Sequence, residues 1–72
     1  MPPSELRHVL AANIRELVEK RRMTLSSLCD SAKVSRSHFF EIMNCNSSAT
    51  IDVVARVARA LEVEPWELLR RE

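Results

Sequence analysis

Apolar residues recur three and four positions apart along most of this chain, and such spacing predicts amphipathic helices rather than strands. The first helix is predicted to begin at Ser4, a suitable N-cap after two prolines, and to reach Arg21 or Arg22. Its predicted buried stripe consists of Leu6, Leu10, Ile14, Leu17 and Val18. Glycine is absent from all 72 residues. Because β-hairpin turns favour glycine, its absence also favours a helical bundle with short connections.

Two short helices joined by a tight corner are predicted next. Thr24 is the expected N-cap of the second helix, which turns three residues inward: Leu28, Cys29 and Ala32. Lys33 and Val34 form the corner. Ser35 is the expected N-cap of a third helix that ends at Met43.

Two more helices follow a polar loop at residues 44–49. Thr50 is the expected N-cap of the fourth helix, whose inward residues are Ile51, Val54, Val57, Ala58 and Leu61. Pro65 suits the first turn of a short fifth helix, where core or dimer contacts are expected from Trp66, Leu68 and Leu69. The sequence thus predicts one all-α domain over residues 1–72, with a core at about 6–69.

Charge and cysteine content narrow the functional classes. Eleven basic and ten acidic residues give a net charge of +1, so any nucleic-acid surface must come from local placement of charge. Cys29 and Cys45 form no C-x-x-C pair, and no apolar run is long enough for a signal or membrane segment. We expect a cytoplasmic protein with free thiols. No motif places nucleophiles, acids or metal ligands at the spacing that catalysis or metal binding requires. We therefore expect no enzymatic activity, cofactor or metal.

The third helix contains two adjacent phenylalanines that cannot both be buried. Successive residues of a helix differ by about 100° in direction, which places Phe39 and Ile42 on the inner side. Phe40 then lies within an outward arc that consists of Arg36, Ser37, Phe40, Glu41 and Asn44. His38 falls on the boundary between the two sides. A helix, a tight corner and a second helix with an outward polar arc are typical of a helix-turn-helix motif.

Several side chains of the arc suit base edges in a major groove. Arg36 can donate two hydrogen bonds to guanine, Glu41 can accept from cytosine, and Asn44 can reach an adenine or a phosphate. Phe40 can contact a thymine methyl group, and Ser35 leaves backbone N–H groups near the phosphates. Simpler alternatives stay open, namely a solvated Arg36, a protein contact or surface position for Phe40, an ion-paired Glu41 and a packed boundary His38.

The chain resembles the lambda-repressor/Cro-type (XRE) helix-turn-helix family over about residues 9–69. RRMTLSSLCDSAKVSRS, residues 21–37, is similar to the family's arginine-rich helix end, T-Q-x-x-L-A segment and G-V-S corner. TIDVVARVARALEVEPWELL, residues 50–69, is similar to its S-L-x-x-L-x-x-L-A-x-A-L-x-V run. The resemblance implies a five-helix lambda-repressor-like domain that binds a pseudo-palindromic operator as a dimer.

The resemblance also implies roles for individual positions. The family's base-reading positions fall on Arg36, Ser37 and Glu41, and its phosphate contacts in the second helix fall near Thr24, Leu25 and Ser26. The chain departs from the family pattern at Leu25, where glutamine is common, and at Lys33, where glycine is common. The resemblance therefore implies that Lys33 has to accept a left-handed or nearby backbone conformation. The loop after the third helix carries no charge, which lowers the expected non-specific affinity.

We therefore expect a transcriptional regulator that binds double-stranded operator DNA as a homodimer, with residues 35–43 in the major groove and a possible regulatory protein partner. The predicted DNA-binding residues are Thr24, Ser26, Ser35, Arg36, Ser37, His38, Phe40, Glu41 and Asn44. The alternative is a protein-interaction module or antitoxin-like subunit on the same scaffold. Its apolar contact surface would lie around Leu25, Phe40 and Met43.

Overall fold

The computed structural model describes residues 2–71 as a bundle of helices without strands. Its five helices are α1 (Pro3–Lys20), α2 (Leu25–Ala32), α3 (Arg36–Met43), α4 (Ile51–Ala60) and α5 (Pro65–Leu69). α2 packs against α4 and α3, while α1 contacts α2, α3 and α5. The predicted all-α, five-helix fold is confirmed. No helix within residues 2–71 combines the length and the apolar character that crossing a membrane requires.

One hydrophobic core joins the inner sides of all five helices. Its largest fully buried side chains are Phe39, Ile14, Leu28, Leu61 and Leu68. No polar or charged residue among the described residues is buried. The inward predictions for Leu28, Cys29, Ala32, Val57, Ala58 and Leu61 are confirmed. Apolar burial of this kind is the main favourable term in the stability of a small domain.

Threonine and serine hydroxyls begin the middle three helices, as predicted. The side-chain oxygens of Thr24, Ser35 and Thr50 accept hydrogen bonds from the backbone N–H three residues later, at 3.0, 3.3 and 3.1 Å. The predicted N-cap of α1 is wrong, because Pro2 occupies that position and Ser4 lies within the helix. Pro3 suits the first helical position, where a backbone N–H has no intrahelical partner.

Four large apolar residues lie at the surface, although Leu6 and Ile51 were predicted to face inward and Trp66 and Leu69 to make core or dimer contacts. Ile51 is 87% exposed and Trp66 is 60% exposed, while Leu6 and Leu69 lie only at the edge of the core. Ile51 is the first residue of α4, where no neighbouring helix covers its side chain. The predicted burial of Ile51 is therefore wrong, and four large apolar side chains remain available at the surface of the domain.

Helices α1 to α4 all end in a left-handed residue that is not glycine. Within residues 2–71 these are Arg22, Lys33, Cys45 and Glu62, with φ between 55° and 62°. At each end, the following N–H reaches back to a carbonyl five residues earlier, as in Val34 N to Cys29 O at 3.3 Å. This is the hydrogen bond of a Schellman motif, whose left-handed position normally holds glycine. Lys33 was predicted to adopt this conformation, and its φ of 58° and ψ of 44° confirm the prediction.

We expect Lys33→Gly to raise the free energy of unfolding by about 0.5–1 kcal/mol, because glycine removes the Cβ strain of the left-handed conformation. Urea denaturation followed by circular dichroism measures the change. The matched control is Glu19→Gly within α1, which should lower the free energy of unfolding by about 1 kcal/mol. A Lys33→Gly protein no more stable than the parent would show that the corner is unstrained.

Candidate nucleic-acid interface

The corner between α2 and α3 is held by backbone contacts and one buried thiol. Lys33 turns the chain, and Ser35 then begins α3 with a hydrogen bond from the N–H of His38. The Sγ of Cys29 lies 2.9 Å from the carbonyl oxygen of Val34, to which the thiol donates. Burial, and secondarily the nearby Asp30 carboxylate, raises the pKa of the Cys29 thiol, which keeps it protonated as a donor. The corner thus fixes the direction of α3 relative to α2.

The two sides of α3 divide as the helical wheel predicts. Phe39 and Ile42 are buried in the core, whereas the outward row on α3 consists of the exposed residues Arg36, Ser37, Glu41 and Asn44. Met43 is also buried, with 3% of its surface exposed. The alternative apolar contact surface around Leu25, Phe40 and Met43 is therefore wrong for Met43, and Leu25 is itself partly buried.

Phe40 lies at the edge of this row rather than fully in solvent. Its ring meets that of Phe39 edge to face, with centroids 5.6 Å apart and planes at 82°. Such a geometry is favourable for aromatic pairs. Phe40 therefore serves partly as a cover for the buried ring of Phe39, and its remaining surface lies beside the polar row. His38 is half-buried too, which agrees with its predicted boundary position.

Arg36 is held by an acidic residue that the sequence predictions do not include. Its Nη2 lies 3.3 Å from Oδ2 of Asp30 on α2, and both side chains are more than half exposed. An exposed ion pair of this kind contributes about 0–1 kcal/mol to stability. The two residues are six positions apart across the corner, a spacing without a helical signature. Arg36 is therefore held only weakly by its partner within the domain.

The hydroxyl groups at the starts of α2 and α3 can each still donate a hydrogen bond to a phosphate. Thr24 and Ser35 are exposed and accept from the backbone through their oxygens, which leaves each O–H free to donate. Ser26 in the first turn of α2 is half-buried. The predicted phosphate-contacting residues thus lie at helix starts, where backbone N–H groups also favour anions.

Side-chain contacts connect the loop after α3 to α1. Nε of Arg7 donates to Oγ of Ser48 at 2.9 Å, and Sγ of Cys45 lies 3.2 Å from Nδ1 of His8. Arg15 on α1 reaches the carbonyl of Met43 at the end of α3, at 3.5 Å. The sequence predictions include none of these contacts, because they join residues at least 28 positions apart. They hold a neutral loop in place beside the outward row.

The outward row on α3 thus presents a guanidinium group, a carboxylate, an amide and a hydroxyl to solvent. These groups can donate to and accept from base edges, and the flanking helix starts can position phosphates. Within residues 2–71, no three His, Cys, Asp or Glu side chains come together as ligands for a metal ion. The fold and the outward row define a helix-turn-helix DNA-binding domain.

The chain belongs to the family of Cro/C1-type HTH DNA-binding domains, whose model matches residues 13–72. This confirms the resemblance inferred from the sequence, and the match extends to the end of the chain. No curated protein sequence matches the chain.

Solved structures share the fold over most of the chain. The clp gene regulator ClgR from Corynebacterium glutamicum is 25% identical, covers 94% of this chain over 72% of its own length, and gives a TM-score of 0.82. The restriction-modification controller protein C.AhdI from Aeromonas hydrophila is 21% identical, with 86% and 94% coverage and a TM-score of 0.79. The hypothetical transcription factor NHTF from Neisseria is 22% identical, with 97% and 82% coverage and a TM-score of 0.85.

Proposed function

We propose that the chain is a transcriptional regulator that binds a pseudo-palindromic DNA operator as a homodimer in the cytoplasm. The observation that carries this proposal is the outward row on α3, since Arg36, Ser37, Glu41 and Asn44 are all exposed while Phe39 and Ile42 anchor the helix. The recognition helix of this motif lies in the major groove, and its N-terminal residues contact base edges. Arg36 is the first residue of α3 and has this position.

Each predicted contact has a defined role in the proposal. Arg36 reads guanine, Ser37 and Glu41 contact neighbouring bases, and Asn44 contacts an adenine or a phosphate. Phe40 and His38 border the same groove, where the exposed edge of the Phe40 ring contacts a thymine methyl group. Thr24, Ser26 and Ser35 position the duplex by donating to phosphates. The related solved structures are described as a gene regulator and a restriction-modification controller, which supports a regulatory role.

Selection of bound fragments from a random DNA pool tests the proposal directly. We expect an enriched pseudo-palindrome whose half-sites are about 34 Å apart, one helical turn. Affinity for that sequence should fall as salt rises, because phosphate contacts release counterions. A random scrambled duplex is the matched control. Recovery of no enriched sequence, together with binding that does not change with salt, would contradict the proposal.

An apolar groove supports the homodimer. It has a volume of about 380 Å³ and lies between the starts of α1 and α4 and the short helix α5, where Pro3, Leu6, Ile51, Val54 and Leu69 line it. α5 also carries Trp66, whose ring is largely exposed and lies 5.7 Å from the guanidinium carbon of Arg70. Contiguous exposed apolar surface of this kind marks interaction sites in soluble proteins. We infer that the subunit contact lies here, on α5 and the start of α4.

We expect Ile51→Ala to weaken the dimer by about 1–2 kcal/mol per subunit, because the substitution removes most of the apolar surface that Ile51 would bury. Sedimentation equilibrium over a concentration series measures the dissociation constant. Arg59→Ala, also on α4 but outside the groove, is the matched control and should leave the constant unchanged. An Ile51→Ala protein that dimerises like its parent would place the subunit contact elsewhere.

A further inference from the structure

A second concave surface lies at the other end of α2 from Thr24. This basic recess is lined by Ser31, Ala32, Lys33, Arg56, Arg59 and Ala60, and has a volume of about 480 Å³. It is formed by the last turn of α2, the corner residue and the second half of α4, which pack against each other. None of its residues belongs to the outward row on α3, so the proposed DNA contacts do not account for it.

Three cations converge on the basic recess without an acidic partner. Lys33, Arg56 and Arg59 are exposed, and no carboxylate among residues 2–71 lies within ion-pair distance of any of them. Four of the other eight basic side chains have an acidic partner within residues 2–71, namely Lys20, Arg21, Arg36 and Arg71. Arg56 and Arg59 are three positions apart on one helix, where like charges repel each other.

The concentration of charge is notable in a chain whose net charge is only +1. A concave surface lined by one sign of charge raises the local concentration of oppositely charged partners. The exposed hydroxyl of Ser31 can donate to a carboxylate, and the partly exposed methyl group of Ala60 suits a small aliphatic side chain. We propose that the basic recess binds an acidic segment of a partner protein, in which glutamate or aspartate alternates with small apolar residues.

The position of the basic recess favours a protein partner over the DNA backbone. The predicted phosphate contacts of α2 lie at its start, and the recess lies at its end, about 10 Å further along the helix axis. Arg56 and Arg59 belong to α4, which packs on α2 and α5. We expect a duplex held along α3 to leave Arg56 and Arg59 accessible, because both lie on α4 and neither belongs to the two helices of the motif. The inference goes beyond the proposed function, because it adds a second partner that can bind together with DNA.

Fluorescence anisotropy with a short labelled peptide of alternating glutamate and alanine tests this inference on the full chain, without DNA and at low salt. We expect the peptide to bind the parent protein and a glutamine-for-glutamate peptide not to bind. Combined substitution of Arg56→Gln and Arg59→Gln should weaken peptide binding about tenfold, because two exposed charge pairs are lost. Arg22→Gln, an exposed arginine outside the recess, is the matched control and should bind as the parent does.

A second titration separates this inference from the proposed function. The same variants are titrated with the selected operator duplex, and peptide binding is repeated with the operator present. We expect operator affinity to change less than twofold in the doubly substituted protein, and the peptide to bind in the presence of operator. The inference is overturned if the peptide fails to bind the parent protein, or if it binds the parent and the doubly substituted protein equally. Displacement of the peptide by the duplex would also overturn it, because the recess would then be a phosphate site. Circular dichroism confirms that each variant is folded.

Discussion

Phe39→Ala is expected to lower the free energy of unfolding by about 3–5 kcal/mol, whereas Phe40→Ala lowers it by about 1 kcal/mol or less. Phe39 is fully buried and faces Leu10, Ile14 and Val57 across the core, so its truncation leaves a cavity that these neighbours cannot fill. Phe40 retains contact with solvent, and its truncation removes one edge-to-face contact at the surface.

The consequence should be severe, because a domain of this size has a total stability of about 4–11 kcal/mol. Loss of Phe39 removes a large share of that total and should shift the urea midpoint markedly, with an unchanged dependence on urea concentration. Urea denaturation of the parent and both variants, followed by circular dichroism, measures the difference. Because the two residues are adjacent and chemically identical, each serves as the matched control for the other. Equal destabilisation by both variants would show that the assignment of inner and outer sides is wrong.

The division between buried and exposed positions of α3 was predictable from sequence because it follows from helix geometry alone. Consecutive residues differ by about 100°, so only one of Phe39 and Phe40 can face the core. The starts of α2, α3 and α4 were predictable for a similarly local reason, since a threonine or serine hydroxyl can satisfy the free N–H groups of the turn that follows. All three hydrogen bonds are present in the structure.

Features that depend on distant neighbours were not predictable in the same way. Ile51 continues the apolar period of α4, but it is the first residue of that helix and no neighbouring helix packs against its side chain. The ion pair between Asp30 and Arg36 depends on the angle of the corner, and the contact between Arg7 and Ser48 joins residues 41 positions apart. The left-handed conformations of Arg22, Cys45 and Glu62 also lack a sequence signal, because glycine normally marks that position.

Operator binding depends most strongly on Arg36 in this proposal. We expect Arg36→Ala to weaken binding to the selected operator by about 1–3 kcal/mol at each half-site and to relax base preference at one position. The physical reason is loss of a two-pronged hydrogen bond to guanine, which an alanine cannot replace. Arg36→Lys keeps the positive charge but loses the paired N–H donors of the guanidinium group. It should therefore retain non-specific affinity and lose base preference. Competition titrations against operators with single base changes measure both effects.

Asp30→Asn is the matched control, because it removes the ion pair without removing the guanidinium group. Base preference should persist in that variant, and affinity for all duplexes should rise by up to about fivefold, since a repulsive carboxylate near the phosphates is lost. The three variants together separate the possible roles of Arg36. If Arg36→Ala weakens binding to every sequence equally, and Arg36→Lys binds as the parent does with its base preference intact, the guanidinium contacts a phosphate. Base reading would then fall to Ser37 and Glu41 alone.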